Sequence, residues 1–176
     1  MTLRQSQCLL CYLGYYNGAI DGIWGEKSRK AAENFQRNRN LPVDGICGPE
    51  MEEALLKAIG EEPWEGIRYF SPAEFACKCG AHCDGYPAVM DTRVVKIADR
   101  ARAHFGAPGT VVSGLRCRIH NQNVGGASAS RHMQGKAIDL RIQGISAQRL
   151  LDYLESEPEV RYCYAINETN VHLDVE

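Results

Sequence analysis

One phrase occurs twice near the start of the chain. Asp21-Gly-Ile-Trp-Gly25 returns as Asp44-Gly-Ile-Cys-Gly48, and each copy runs directly into a segment with helical spacing. This confines the beginning of the chain to turn–helix units, because glycine supplies the backbone freedom of a tight turn and apolar spacing supplies the helix. After the first copy, Glu26 to Asn38 puts Ala31, Ala32 and Phe35 on one helical face. After the second, Pro49 stands at the first helical position, where its missing N–H costs nothing. Met51, Ala54, Leu55, Ala58 and Ile59 then recur at the 3.6-residue period. With the leading segment Gln5 to Tyr16, the pattern predicts three short helices around a small core. Gly60-Glu-Glu-Pro63 reads as the linker that ends it, giving two expected domains, 1–62 and 63–176.

From Trp64 onward the wording changes. Ser71 is placed to cap a helical turn, and Asp91 to Phe105 forms an amphipathic helix through Val94, Val95, Ile97, Ala98 and Ala101. Gly106-Ala-Pro-Gly109 stops that helix; Thr110 to Ser113 reads as a strand broken by Gly114. Ala137 to Ile142 alternates as a short strand, Gln148 to Glu155 is a helix after Ser146, and Val171 to Val175 alternates as a half-buried strand. Helices and strands mixed without a strand–helix rhythm predict an α+β domain.

Bulk properties narrow the partners. Twenty basic and 22 acidic residues leave a formal charge of −2, with no basic run or basic–aromatic stripe, so nucleic acid is not an expected partner. The apolar stretch CLLCYLGYY is too short to span a bilayer, and no small-residue cleavage site follows it. The expectation is therefore a monomer held in the cytoplasm, away from membranes, until another route releases it. Eight cysteines are spread along the chain, three of them in its first third. That odd number argues against a self-contained disulfide framework there and makes buried thiols the default.

The chemistry is concentrated in SRHMQGKAID, Ser130 to Asp139, which sets His132 and Asp139 around Gly135. Both have ordinary readings, as a loop histidine and a turn-capping carboxylate, so a metal site requires a third donor. Of the other histidines, His104 lies on the amphipathic helix, His120 reads as a loop hydrogen-bonder, and His82 falls among cysteines. His172 sits in an alternating strand, with Asp174 on the same face. Two imidazoles and one carboxylate form a set suited to Zn2+ with a fourth position left for water, as a catalytic site requires.

The first sixty residues resemble the peptidoglycan-binding domain of cell-wall hydrolases. The resemblance rests on Gln7, Leu13-Gly-Tyr-Tyr16, Asp21-Gly-Ile-Trp-Gly25, Phe35-Gln36, Leu41-Pro-Val-Asp-Gly45 and Gly48-Pro49. From Phe70 to the C-terminus the chain resembles the zinc D-alanyl-D-alanine carboxypeptidase family, which shares the hedgehog-type fold. Here the matching elements are Ser113-Gly-Leu-Arg116, Asn123-Val-Gly-Gly-Ala-Ser128, the Ser130 to Asp139 element and Val171-His172. The resemblance implies zinc bound by His132, Asp139 and His172, and Arg116 as the cation that holds a substrate carboxylate or polarises the scissile carbonyl. It also implies peptidoglycan as the partner and hydrolysis of a wall peptide bond as the reaction. The expected setting is a phage or prophage endolysin. The alternatives are a bacterial wall-remodelling carboxypeptidase and a wall-binding protein that has lost turnover.

That third possibility arises because the pattern departs from the family at the general base. Close relatives carry a histidine two positions before the last ligand, and other branches carry an acid three before; here those positions hold Asn170 and Thr169. Asp174 and Glu168 are the remaining acids near His172, with Asp174 favoured at about 7 Å along the strand. Asp174 has a second reading, orienting His172 through its other ring nitrogen. A further cluster, Cys77, Cys79 and Cys83 together with Cys117 beside Arg116, has three readings. It could close a structural zinc site, it could remain as free thiols, or it could form a disulfide from Cys77 or Cys79 to Cys117, as the resemblance implies. Either bonded form would pin the loop that carries Arg116.

Overall fold

The repeated turn is held by a repeated glutamine. The computed structural model describes residues 1–58, 64, 66–80, 83 and 90–176; Ile59, the linker Gly60 to Pro63 and His82 lie outside the described residues. Gln7 is fully buried on helix α1 (Leu3–Tyr12), where its Oε1 accepts the Gly22 N–H at 2.8 Å. Its Nε2 donates to Asp21 Oδ1 at 3.1 Å, Ile23 O at 3.0 Å and Ser28 Oγ at 3.1 Å. Gln36, on helix α2 (Glu26–Asn38), repeats the arrangement around the second turn. Its Oε1 accepts the Gly45 N–H at 2.9 Å, and its Nε2 donates to Asp44 Oδ1 at 2.7 Å and Ile46 O at 3.1 Å. In each turn the aspartate accepts the N–H of the isoleucine two residues on, at 2.8 Å. Gly22 and Gly45 both adopt positive φ, +79° and +68°, the conformation that makes glycine necessary there. Trp24 of the first turn donates to Gly45 O of the second at 2.9 Å and ties the copies together.

Around these turns α1 packs against α2 and against α3 (Pro49–Ala58), burying Leu9, Leu10, Phe35 and Leu55. A capping box between Thr2 and Gln5 starts α1 two residues earlier than the periodicity suggested. The helix also ends earlier, at Tyr12, because Gly14 turns the chain at φ +82° and the Tyr15 and Tyr16 N–H groups fold back onto Leu10 O.

The second part is α+β. Among the described residues the whole chain has seven α-helices and one four-stranded antiparallel sheet of order β1-β2-β4-β3. After the single turn α4 (Pro72–Phe75) come α5 (Thr92–Phe105), β1 (Gly109–Ser113), α6 (Arg118–Asn123), β2 (Ala137–Ile142), α7 (Ala147–Glu155), β3 (Tyr162–Ala165) and β4 (Val171–Asp174). Helices α5 and α7 pack together and cover the sheet. Side chains alternate across a strand, so Ile138, Leu140 and Ile142 share one face of β2, and Val171 and Leu173 share one face of β4. All five are essentially inaccessible to solvent. The opposite face carries Asp139, His172 and Asp174. Helix α6 and strand β3 had no counterpart in the sequence reading. Among the described residues no helix is long and apolar enough to cross a membrane.

Removing either buried amide strands several backbone and side-chain partners at once. Gln7→Ala and Gln36→Ala are each expected to destabilise the first part by about 2–3 kcal/mol, read as a lower denaturant midpoint. Surface changes such as Lys30→Ala should leave that midpoint within about 0.5 kcal/mol of the parent.

Candidate metal centre

Strand register assembles this site. Ser113, Asp139, His172 and Tyr164 form one row across the four strands: Ser113 pairs with Asp139, Asp139 with His172, and His172 with Tyr164. The next row sets Asp174 between Ala137 and Tyr162. His132 arrives from outside the sheet, on a 3-10 turn (Arg131–Gln134) that Gly135 closes at φ +67° before β2 begins. The SRHMQG stretch is thus a tight turn leading into a strand, and that turn brings His132 over Asp139.

Three donor atoms meet there. His132 Nε2 lies 3.2 Å from His172 Nδ1 and 3.3 Å from Asp139 Oδ1, and His172 Nδ1 lies 2.9 Å from the same oxygen. A tetrahedral ion with bonds of about 2.0–2.2 Å spaces its donors about 3.3 Å apart, so this triangle fits zinc. The protonation pattern fits as well. His132 Nδ1 faces Gly114 O at 2.8 Å; a carbonyl can only accept, so the proton sits on Nδ1 and Nε2 keeps its lone pair. On His172, Nε2 lies 3.6 Å from Asp174 Oδ2, which favours the proton on that nitrogen and the lone pair on Nδ1.

Asp139 is buried, which by itself would raise its pKa. The polar groups that close around it, the Arg116 guanidinium among them, outweigh burial and hold the carboxyl well below the ordinary carboxylate range. Arg116 donates from Nη2 to Asp139 Oδ2 at 2.6 Å and from Nε to Ser113 Oγ at 2.8 Å. The guanidinium has five N–H groups, so donors remain for a further anion. Gly114, which supplies the carbonyl for His132, is pressed against the α4 segment: a Cβ there would lie 2.4–2.8 Å from Phe75 backbone atoms. Only glycine fits.

The triangle opens into a cavity of about 510 Å³ whose wall includes Arg116, Arg161, Tyr164 and Asp174. A larger hollow of about 740 Å³, between the end of α1 and α6, holds none of the three donors. Asp174 is almost wholly buried, and both its oxygens accept from Arg161, at 2.8 Å from Nε and 3.0 Å from Nη2. Glu168 is a correction to the sequence reading. It belongs to the turn between β3 and β4 rather than to β4, and it lines a separate hollow with Thr110 and Arg141, so strand alternation does not carry it to the site. Thr169 and Asn170 lie in that same turn, bonded to Asn167 Oδ1. His104 stacks on Tyr153 at 4.5 Å, on the helical layer. Sequence reasoning missed Tyr164, whose ring lies 4.9 Å from that of His172, and the Arg161–Asp174 pair. Both follow from recognising β3, where Tyr162 and Tyr164 alternate toward the site.

Comparison with known proteins relates both parts of the chain to described families. Residues 68–174 match the family described as Peptidase M15, and residues 2–55 match the peptidoglycan binding domain. The chain is 33% identical over 129 residues to the zinc D-Ala-D-Ala carboxypeptidase of Streptomyces albus G, covering 69% of this chain and 49% of that protein. It is 42% identical over 52 residues to a spore cortex-lytic enzyme of Bacillus cereus, covering 30% of this chain and 20% of the relative. An N-acetylmuramoyl-L-alanine amidase, CwlM of Mycobacterium tuberculosis, is 43% identical over 49 residues, 28% of this chain and 12% of its own length. The chain therefore spans about half the length of the carboxypeptidase and less of the others.

Two substitutions test the site directly. His132→Ala should weaken zinc binding at the triangle by more than about 100-fold in competition with a chromophoric chelator, exceeding the usual loss on removing an outer partner. Gly114→Ala must move the Phe75 segment or the Gly114 carbonyl. It is expected to cost about 1–3 kcal/mol of stability by thermal denaturation, and to lower zinc affinity with it.

Proposed function

The chain belongs to the peptidase M15 family, and on that premise we propose that it is a zinc-dependent peptidase of bacterial cell-wall peptides. In this reading residues 1–62 are a three-helix module that holds peptidoglycan, and residues 63–176 are the hydrolase. The observation that carries it is the meeting of His132 Nε2, Asp139 Oδ1 and His172 Nδ1 within 3.3 Å of one another at the floor of an open cavity. When bound, zinc supplies a Lewis acid there, making water acidic enough to attack an amide at neutral pH.

The protein's own groups divide the remaining work. Gly114 O fixes the His132 imidazole with its Nε2 lone pair inward. Arg116 holds Asp139 through one N–H and offers its free donors to the substrate's terminal carboxylate or to the developing oxyanion. Apart from Asp139, Asp174 is the only carboxylate lining the cavity among the described residues, and we assign it the proton from the attacking water. A second reading has its own support: Arg161 engages both Asp174 oxygens, and Asp174 lies 3.6 Å from His172 Nε2, which suits a carboxylate that orients the ring. Tethering by the first module would raise the concentration of wall peptides at the cavity. The finer identity we propose is an endolysin, with a wall-remodelling carboxypeptidase as the alternative.

Purified walls should release D-alanine or internal stem-peptide fragments, identified by mass spectrometry, with loss of turbidity. Chelator should abolish the release and added zinc restore it. Binding without any release would leave only the wall-binding reading. Asp174→Asn should retain zinc and lower kcat by about 100-fold or more, with the acid limb of the pH–rate profile removed. If instead zinc affinity falls and the acid limb persists, Asp174 positions His172 and the proton goes elsewhere.

A further inference from the structure

Behind the loop that carries Arg116, four sulfur atoms converge. Cys77, Cys79 and Cys83 come from the segment after α4, and Cys117 is the N-cap of α6. One Sγ from each lies within 4.8 Å of all the others. Cys77, Cys83 and Cys117 are buried, Cys79 is half-buried, and all four are free thiols. We propose that these four cysteines bind a second zinc ion in a closed tetrathiolate site, separate from the His132–Asp139–His172 triangle.

Three observations support the assignment. A tetrahedral zinc with Zn–S bonds of about 2.3 Å spaces its sulfurs about 3.8 Å apart, which is compatible with all four atoms lying within 4.8 Å of one another. A disulfide needs only two sulfurs to approach and gives no reason for two more to turn toward the same point. Backbone N–H groups also point at the sulfurs: Cys117 N donates to Cys77 Sγ at 3.2 Å, and His120 N to Cys117 Sγ at 3.4 Å. Such bonds favour thiolates, the form a metal requires. Finally, four protein ligands fill the coordination shell, so this site would hold structure rather than water.

What the site would hold is the frame of the triangle. The segment from Phe75 to Lys78 is already stitched to the end of β1. Leu115 N donates to Phe75 O at 2.8 Å, and Lys78 Nζ reaches Val111 O at 2.7 Å and Val112 O at 3.1 Å. The stretch so clamped, residues 113–117, carries both the Gly114 carbonyl that fixes His132 and the Arg116 guanidinium that holds Asp139. A metal joining Cys77, Cys79 and Cys83 to Cys117 locks the two segments from the far side. The cysteines are thus positioning residues for a centre they do not touch.

Elemental analysis of the full chain, purified under reducing conditions with zinc, should give about two equivalents per chain. His132→Ala should retain about one. In His132→Ala, cobalt in place of zinc should give the intense near-ultraviolet sulfur-to-cobalt charge-transfer band that nitrogen and oxygen ligands cannot produce. Cys117→Ser should weaken that band and lower the affinity for cobalt, since three thiolates remain in place of four. If the variant does not fold, titrating the unmodified chain with a mercurial should release one zinc by the time all eight thiols have reacted. Cys8, which contacts Cys83 from α1, serves as a control: Cys8→Ser should keep both equivalents. The proposal is overturned by one zinc per unmodified chain, by no sulfur band in His132→Ala, by zinc loss in Cys8→Ser, or by peptide mapping that finds a disulfide among Cys77, Cys79, Cys83 and Cys117. None of these outcomes bears on the peptidase reading, which stands or falls on release of wall fragments.

Discussion

The pairing of Asp139 with His172 across two antiparallel strands is the constraint on which the site depends. A slip of one residue would turn both side chains to the helical face and replace them with aliphatic groups. The slip is prevented from the other side of the sheet, where Ile138, Leu140 and Leu173 are fully buried beneath α5 and α7. Packing of the core therefore fixes the donor geometry before any ion arrives. Three partially charged groups are held close together in a buried place, at a cost in desolvation that Arg116 and Arg161 offset by pairing with the carboxylates.

Much of this was legible in the sequence, for identifiable reasons. The Asp-Gly-Ile repeat and the proline at the start of α3 are local signals, and they locate the first helices with little help from tertiary structure. The three donors were legible because His132 and Asp139 are separated only by a turn and a strand entry, while His172 sits in an alternating strand. Strand β3 was missed because Tyr162 to Ala165 is short and partly exposed, without an apolar face of its own. With it went Tyr164 and the Arg161–Asp174 pair. Glu168 was a candidate only because it is four residues before His172 in sequence; it stands ahead of β4 in the turn after β3, where two-residue alternation does not hold.

The cysteines illustrate the opposite limit. Spacing alone left a structural zinc, a disulfide and free thiols all open, because Cys117 is distant in sequence from the other three. Only the folding of residues 113–117 against the α4 segment brings the four sulfurs together. That contact turns on Gly114, which has no side chain to keep Phe75 away, and the same glycine presents its carbonyl to His132.

The two buried glutamines carry a chemical vulnerability. Each uses one amide both to accept an N–H and to donate to a nearby aspartate, a pairing of roles that a carboxylate cannot perform. Hydrolysis of Gln7 or Gln36 to glutamate would set a second negative charge about 3 Å from Asp21 or Asp44, where the amide now donates. An amide-to-acid exchange at either position would thus loosen the turns of the first part of the chain while leaving the sheet that holds the metal centre untouched.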